Sequence, residues 1–320
     1  MIIYALKRLG YSIPLLLGVT FMTFLFIHIA PGDFLSELKS NPQVSRQAIK
    51  LYEEKFHLNE PLLNQYLIWL KNILKGDLGY SFSYKAEVKN VIASRAKNTI
   101  ILSLSAIVFT WIFVIPLGII ASLHKNKFID RFISLFSYLG ISSPSFLLAM
   151  VFLYFAYISG LLPLGGMRSL RFYELSALGK ILDIAKHLVI PTIALSFASI
   201  ASLQRIMRAN MLEVLGSAYI LAAKARGISN TRILYVHALK NALNPMITIF
   251  GYQFSSLLSG AALTEIIVGW PGLGQVALEA VRKQDLYLVM GSVIISGVLL
   301  IAGNLIADIL LAFSDPRIRY

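Results

Sequence analysis

The chain has 320 residues, of which 57% are hydrophobic and 14% charged, with a formal net charge of +13. A soluble domain of this length needs far more polar surface, so this composition and a mean hydropathy of +0.71 indicate an integral membrane protein. Cysteine is absent, which excludes a disulfide framework, a thiolate metal site and a thiol nucleophile.

The positive charge is read as basic loops that hold membrane topology and meet anionic headgroups. Nucleic acid is not expected as a partner, since no aromatic-interleaved basic stripe is present. Lys7 and Arg8 precede an uncharged run, Leu9–Ala30, which resembles a secretory leader. Its 22 residues suffice for a full span, however, and Pro31-Gly32-Asp33 follows where a small-x-small cleavage site would stand. An uncleaved first transmembrane helix is expected.

The 31–98 segment comes next and is not of low complexity. Ala48–Phe56 and Leu62–Leu74 show helical apolar spacing, with Tyr66, Trp69 and Leu70 available for packing, so a small, mostly helical cap is predicted. Further spans are predicted at Thr99–Leu123, within Phe132–Met167, and at Leu188–Gln204. The Phe132–Met167 window is too long for one helix; Gly160, Pro163, Gly165 and Gly166 predict that the helix ends near Ile158. A fifth span is expected within Asn241–Thr264, starting near Pro245, and a sixth at Leu286–Ala307. Each is near the roughly 20 residues that cross the hydrocarbon.

Six spans put both termini on one side of the membrane. The termini and the loops on their side carry thirteen Lys and Arg, against six in the short opposite loops. The positive-inside rule therefore predicts cytoplasmic termini, an external cap at 31–98, a cytoplasmic loop at 205–244 and an external loop at 265–285, all within one transmembrane domain, 1–320.

The cytoplasmic loop is the most informative stretch. Glu213–Arg226 is rich in helix formers, and Leu215, Tyr219, Ala222, Ala223 and Arg226 recur at spacings of three and four. Gly227 stands where a helix commonly ends in a left-handed conformation. Ser229 or Asn230 can cap a second short helix running to about Asn241. The first helix offers small residues (Ala218, Ala222, Ala223, Ala225) flanked by Lys224 and Arg226. Small residues let a helix seat deeply in a partner's groove; a basic amphipathic helix lying on the bilayer is the plainer alternative.

Ala222-Ala223-x-x-x-Gly227 resembles the "EAA" loop of ABC-importer permeases, although Leu221 replaces the leading acidic residue and His237-Ala238-Leu239-Lys240 departs from the usual ending. Other stretches match in order: His28-Ile29-Ala30-Pro31-Gly32-Asp33, Phe56-His57-Leu58-Asn59-Glu60-Pro61, Lys75-Gly76-Asp77-Leu78-Gly79, Arg95-x-x-Asn98-Thr99, Pro144-Ser145-Phe146, Gly269 through Gln275 and Asp315 through Tyr320. Along nearly its whole length the chain resembles the B-type subunit of the peptide/nickel permease family. The resemblance implies an all-α, six-span, type I ABC-importer permease in a bacterial or archaeal cytoplasmic membrane. It implies a homologous second permease, two ABC ATPases that bind ATP and Mg, and an extracytoplasmic substrate-binding protein as partners. It further implies that Glu213, Ser217, Ala218, Tyr219, Ala222, Ala223, Lys224, Arg226 and Gly227 couple the chain to the ATPases.

For the substrate route, Gln253, Ser256, Gly260 and Thr264 share one face of the fifth span, and Gln253 and Ser256 are the candidates to line it. Glu265 is placed to face incoming substrate or solvent, and Trp270-Pro271-Gly272 breaks helix and reads as an interfacial or re-entrant loop; the resemblance implies that this loop sits at the external gate. Asp308 and Asn304 share a face of the sixth span. Ser196 and Ser199 lie together in the fourth, where small residues usually mean close helix packing. No Walker-type segment, histidine cluster or nucleophile–base pair is legible, so no cofactor, metal or catalytic residue is expected in this chain. Di- or oligopeptides are the expected cargo, with nickel chelates or oligosaccharides as alternatives. A secondary transporter without ATPase partners and a membrane scaffold are the readings from other classes.

Overall fold

A computed structural model describes residues 2–30, 45, 47, 50 and 59–314; for residues 2–6, 248, 251–252, 254–260, 307 and 310–314 it describes the backbone alone. The described chain is almost wholly helical. In order come α1 (Ile2–Ile29), α2 (Leu62–Leu74), the strands β1 (Tyr80–Ser81) and β2 (Ala86–Glu87), α3 (Val88–Leu123), α4 (Phe128–Ser142), α5 (Ser145–Ser159), α6 (Ala177–Leu215), α7 (Ala218–Ala225), α8 (Leu239–Gly260), α9 (Ala262–Val268), α10 (Leu273–Arg282) and α11 (Leu286–Ser314). Four helices are long and apolar enough to span a membrane: α1, α3, α6 and α11. The α4–α5 pair, bent by 107°, makes a fifth if counted as one span. The remaining expected span corresponds to α8, of which most side chains after residue 250 lie outside the described residues.

The break between α4 and α5 departs from the single helix expected to run to Ile158. Pro144 cannot donate to the helical ladder and forces Ser143 into extended backbone, so α4 stops and α5 restarts at Ser145. The Ser142 and Ser143 hydroxyls bond back to the carbonyls of Tyr138 and Leu139 at 2.9 and 2.8 Å, satisfying the helix end. The predicted end of this window does hold: Gly160 caps α5 with φ +64.

The chain divides into two compact units. One comprises residues 2–99 and 271–301. In it Tyr66 and Trp69 of α2, predicted as packing residues, are buried with Phe24 and Met290, and the Tyr66 hydroxyl lies 2.9 Å from that of Thr20. Leu62–Leu74 is helical, as its spacing predicts; Ala48–Phe56 lies outside the described residues except for residue 50. A two-stranded antiparallel hairpin, Tyr80–Ser81 with Ala86–Glu87, was not foreseen. It is held by Asp285, whose buried carboxylate accepts from Ser81 Oγ at 2.7 Å and from the Ser83 amide at 2.9 Å. Nearby, Asn98 donates to the Pro271 carbonyl at 2.9 Å and Thr99 Oγ1 accepts from the Leu273 amide at 2.8 Å. Thus Asn98-Thr99 fastens the segment after Trp270-Pro271.

The other unit comprises residues 100–270 and 302–314. Helix α6 is its spine, 39 residues long where a 17-residue span was expected. Gly140 lets α4 approach α6 closely: a Cβ there would meet Ala201 at 2.6 Å. Ser196 donates to the Ala106 carbonyl at 2.9 Å, so this serine joins α6 to α3, in line with the packing role of small residues in membranes. Arg208 grips Asp130 through Nε and Nη2, both at 2.6 Å.

Candidate functional site

The loop singled out by composition is a folded, anchored element. Helix α6 continues through Glu213 to Leu215, so Glu213 belongs to the spine rather than to the short helix after it. Gly216 closes α6 by donating to the Leu212 and Glu213 carbonyls, each at 3.2 Å. Ser217 is the N-cap of α7, but its hydroxyl bonds back to the Val214 carbonyl at 2.6 Å and contributes no side-chain cap; its carbonyl receives the Ile220 and Leu221 amides.

The far end of α7 is a Schellman cap. Gly227 has φ +76, its amide donates to Lys224 O at 2.9 Å, and the Ile228 amide reaches Ala223 O at 3.2 Å. The expected stop at Gly227 therefore holds in geometry. The helix expected to follow from Ser229 does start there, yet it does not end near Asn241. One turn, Asn230–Arg232, passes into a π-helical stretch, Ile233–Ala238, which runs directly into α8. The helix that holds the expected fifth span thus starts well before Pro245, since the π-helical stretch continues into α8 without a break.

Which face of α7 points outward also differs from the spacing argument. Ile220 is fully buried, in a cluster with Met207, Met211, Ile233, Ala238 and Met246, and Ala223 and Ile228 pack against it. Tyr219, Leu221, Ala218, Ala222 and Ala225 are exposed, with Lys224 and Arg226 beside them. Ala223 therefore faces inward, whereas Ala222 belongs to the outward surface. The phenol of Tyr219 is fixed although exposed: Asn241 Nδ2 donates to its hydroxyl at 2.8 Å and also to His237 O at 2.9 Å. Asn210 on α6 donates to the Ala242 carbonyl at 3.2 Å. The result is a small, apolar, basic-rimmed surface on a helix clamped to α6 and α8. Glu213 is the sole acidic residue between Arg205 and Thr264, so a partner of acidic character fits this surface best.

Sequence reasoning missed Ile220 and Asn241. The Ile220–Ala223 spacing of three would have revealed the inward face, but Tyr219 and Ala222 carry an equally good pattern one residue away. The Asn241–Tyr219 bond has no local signature.

The pathway candidates are dispersed. Gln253 is buried, and its Oε1 accepts from Trp111 Nε1 at 2.9 Å. Ser256 lies on α8 with its side chain outside the described residues. Thr264 is buried on α9 and donates to Ser145 Oγ at 3.2 Å. Glu265 is 0% exposed, so within this chain it faces neither solvent nor an open route. Trp270, also fully buried, packs with Leu102, Ala106 and Leu195. Gly269 is left-handed at φ +68 and Gly272 is the extended N-cap of α10, so Trp270-Pro271-Gly272 does break helix as expected. Asp308 is buried on α11.

Residues 114–320 match the family described as binding-protein-dependent transport system inner membrane component, and residues 1–104 match its N-terminal membrane-component counterpart. The chain belongs to this family of transport permeases. It is 37% identical over 319 residues to the oligopeptide transport system permease protein AppB of Bacillus subtilis, with 99% of each chain covered. It is 38% identical over 323 residues to the oligopeptide transport system permease protein OppB of Haemophilus influenzae, covering both chains in full. Over 321 residues it is 33% identical to the glutathione transport system permease protein GsiC of Escherichia coli, again over both full lengths. As a permease the chain is a multi-pass membrane component of a transport system that depends on a binding protein. The α7 surface falls within the main family model, and the cap helix and hairpin fall within the N-terminal one.

Proposed function

We infer that this permease is one half of an ATP-driven importer of di- or oligopeptides, with α7 as its docking helix. The observation that carries this reading is the exposed small-residue face of α7, held rigidly by buried Ile220 and by the Gly227 cap. A helix that merely rests on lipid needs no such clamp. Family membership and the peptide-transport names of full-length relatives support the cargo class.

On this reading the chain spans the membrane six times, with α8 as the fifth span, and both termini lie in the cytoplasm of a bacterial or archaeal cell. Ala218, Tyr219, Ala222, Lys224 and Arg226 contact an ATPase, while Ser217, Ala223 and Gly227 shape the helix and Glu213 ends the spine behind it. A homologous permease completes the route. Two ATPases bind ATP and Mg, and an external binding protein delivers the peptide. When the ATPases close on ATP, docked α7 moves with them; the clamp through Asn241 and Ile220 passes that motion to α6 and α8. The motion drives transport only if the ATPases bind the two permease states with different free energies. Gln253, Ser256 and Glu265 are the candidates to meet cargo, with Trp270, Pro271 and Gly272 at the gate.

The test is uptake by the reconstituted importer with a peptide panel, alongside ATP hydrolysis. Ala222→Trp enlarges the outward face without touching the core beneath; it is expected to abolish ATP-dependent uptake while the protein stays in the membrane. Uptake that persists in this variant, or without ATP, overturns the reading.

A further inference from the structure

A second feature of the α3–α4–α6 unit lies away from the α7 surface. Helices α3, α4 and α6 enclose a cleft of about 310 Å³. Phe109, Phe113, Phe132, Phe136 and Phe197 line it, and Gln204 and Ser137 are its polar lining groups. A second apolar cleft of about 480 Å³, between α3 and α6, shares Phe109 and Ile193 with the first. Together they follow α3 from Leu104 to Leu117. At 1.5 Å per residue that is about 20 Å. One leaflet of a bilayer whose hydrocarbon core is about 30 Å thick is about 15 Å deep. The groove is therefore somewhat longer than one leaflet is deep, enough to seat an acyl chain along its length.

Its two ends differ chemically. The far end, at Leu104 and Leu188, is apolar. The near end holds Gln204, which is 1% exposed. Its Oε1 lies 2.8 Å from Ser137 Oγ, a hydroxyl that shares its one proton with the Ile133 carbonyl at 3.0 Å, while its Nε2 has no hydrogen-bond partner among the described residues. A buried amide N–H of this kind needs an acceptor. Roughly two turns beyond, the α3–α4 turn presents Lys125 and Lys127 and the first turn of α4 presents Arg131, all exposed and with no carboxylate partner among the described residues. Phe132 lines the cleft one residue after Arg131, and Leu117 lies about 9 Å along α3 from the start of that turn.

We propose that this groove is a binding site for an anionic phospholipid. One acyl chain lies along the phenylalanines from Leu117 towards Leu104. The ester carbonyl accepts from Gln204 Nε2, and the phosphate meets the Lys125, Lys127 and Arg131 cations. A zwitterionic lipid would fill the apolar groove equally well but would gain less from the turn. A protein helix seated in the same groove would match the three cations only if it carried acidic residues beside its apolar face. Charge complementarity therefore favours the anionic lipid over both.

The experiment uses the full-length chain in nanodiscs of phosphatidylglycerol and phosphatidylcholine, with retained lipid counted by native mass spectrometry. Phosphatidylglycerol is expected to be retained about tenfold more tightly. Lys125→Glu with Lys127→Glu is expected to erase that preference while leaving phosphatidylcholine retention unchanged, which also reports that the variant is folded. Ile193→Trp, which fills the groove, is expected to reduce retention of both lipids. Equal retention of the two lipids by the unaltered chain, or a preference insensitive to charge reversal, overturns the proposal. So does an efficient crosslink from Ile193→Cys to the second permease of the assembled importer, since a protein helix would then occupy the groove.

Discussion

The side-chain amide of Asn241 donates to the hydroxyl of Tyr219 at 2.8 Å, joining α7 to the first turn of α8 across 22 positions of sequence. Together with Ile220 it makes α7 part of the helical body. A partner that moves Tyr219 therefore pulls directly on α8.

Removing that bond should loosen the clamp without dissolving it. Asn241→Ala is expected to cost about 1 kcal/mol locally and to lower uptake several-fold while ATP hydrolysis continues. Tyr219→Phe should act in the same direction and more weakly, because Asn241 keeps its bond to His237 O. Parallel measurement of uptake and hydrolysis checks both variants.

Gly227 tests backbone rather than contact. A Cβ at this position would meet nothing within 4 Å, so the penalty for substitution comes from its φ of +76 alone. Gly227→Ala is expected to cost about 1–2 kcal/mol, and Gly227→Asn less, since Asn tolerates the left-handed region. Amide hydrogen exchange across residues 218–228 should rise in that order: Gly, Asn, Ala.

Ile220 and Ala222 separate anchoring from docking. Ile220→Ala removes a fully buried side chain beside Met207 and Met211, with an expected loss of about 2–4 kcal/mol in the stability of that region. Ala222→Trp should leave thermal stability unchanged and block docking of the ATPase. Ala223→Trp would confuse the two, because Ala223 packs against the same buried cluster. Co-purification of the ATPase alongside a melting curve distinguishes the three.

The Arg208–Asp130 pair ties α6 to the start of α4. The Asp130 side chain is 4% exposed and that of Arg208 25%, so Arg208→Gln leaves a buried carboxylate without its counter-charge, held only by the Asn126 amide at 2.8 Å. An expected loss of about 2–4 kcal/mol follows, discounted from the fully buried case for the partly wet guanidinium. Replacing both residues by alanine should cost less than the two single changes summed. A double-mutant cycle on thermal unfolding measures this.

Outside the spans, burial and a hydrogen bond to the Glu279 carboxylate push the Tyr84 hydroxyl from 10.0 up to about 12. The folded state holds this proton more tightly than the unfolded chain, so the contribution is complete below about pH 10 and is lost as pH rises through about 12. Tyr84→Phe should remove that alkaline dependence, as read by tyrosinate absorbance and melting temperature.

Much of this molecule follows from local chemistry. Runs free of charge marked α1, α3, α6 and α11, because a charged side chain is costly in hydrocarbon and a helix satisfies its own backbone polar groups there. Leu62–Leu74 was legible from spacing, and the ends at Gly160 and Gly227 from glycine's freedom at positive φ. The stretches that match the permease family were also visible in the bare residues. What local chemistry could not supply is direction and reach. Pro144 was plain to see, yet the 107° bend depends on how α5 and α9 pack after the break. Tyr219 and Ile220 are adjacent and both fit a helical stripe; the cavity between Met207, Met211 and Met246 decides that isoleucine goes in and tyrosine stays out. The bonds of Asn241 to Tyr219, Arg208 to Asp130 and Asp285 to Ser81 join residues 22, 78 and 204 positions apart. No periodicity encodes such pairs, because they form only after the helices have packed.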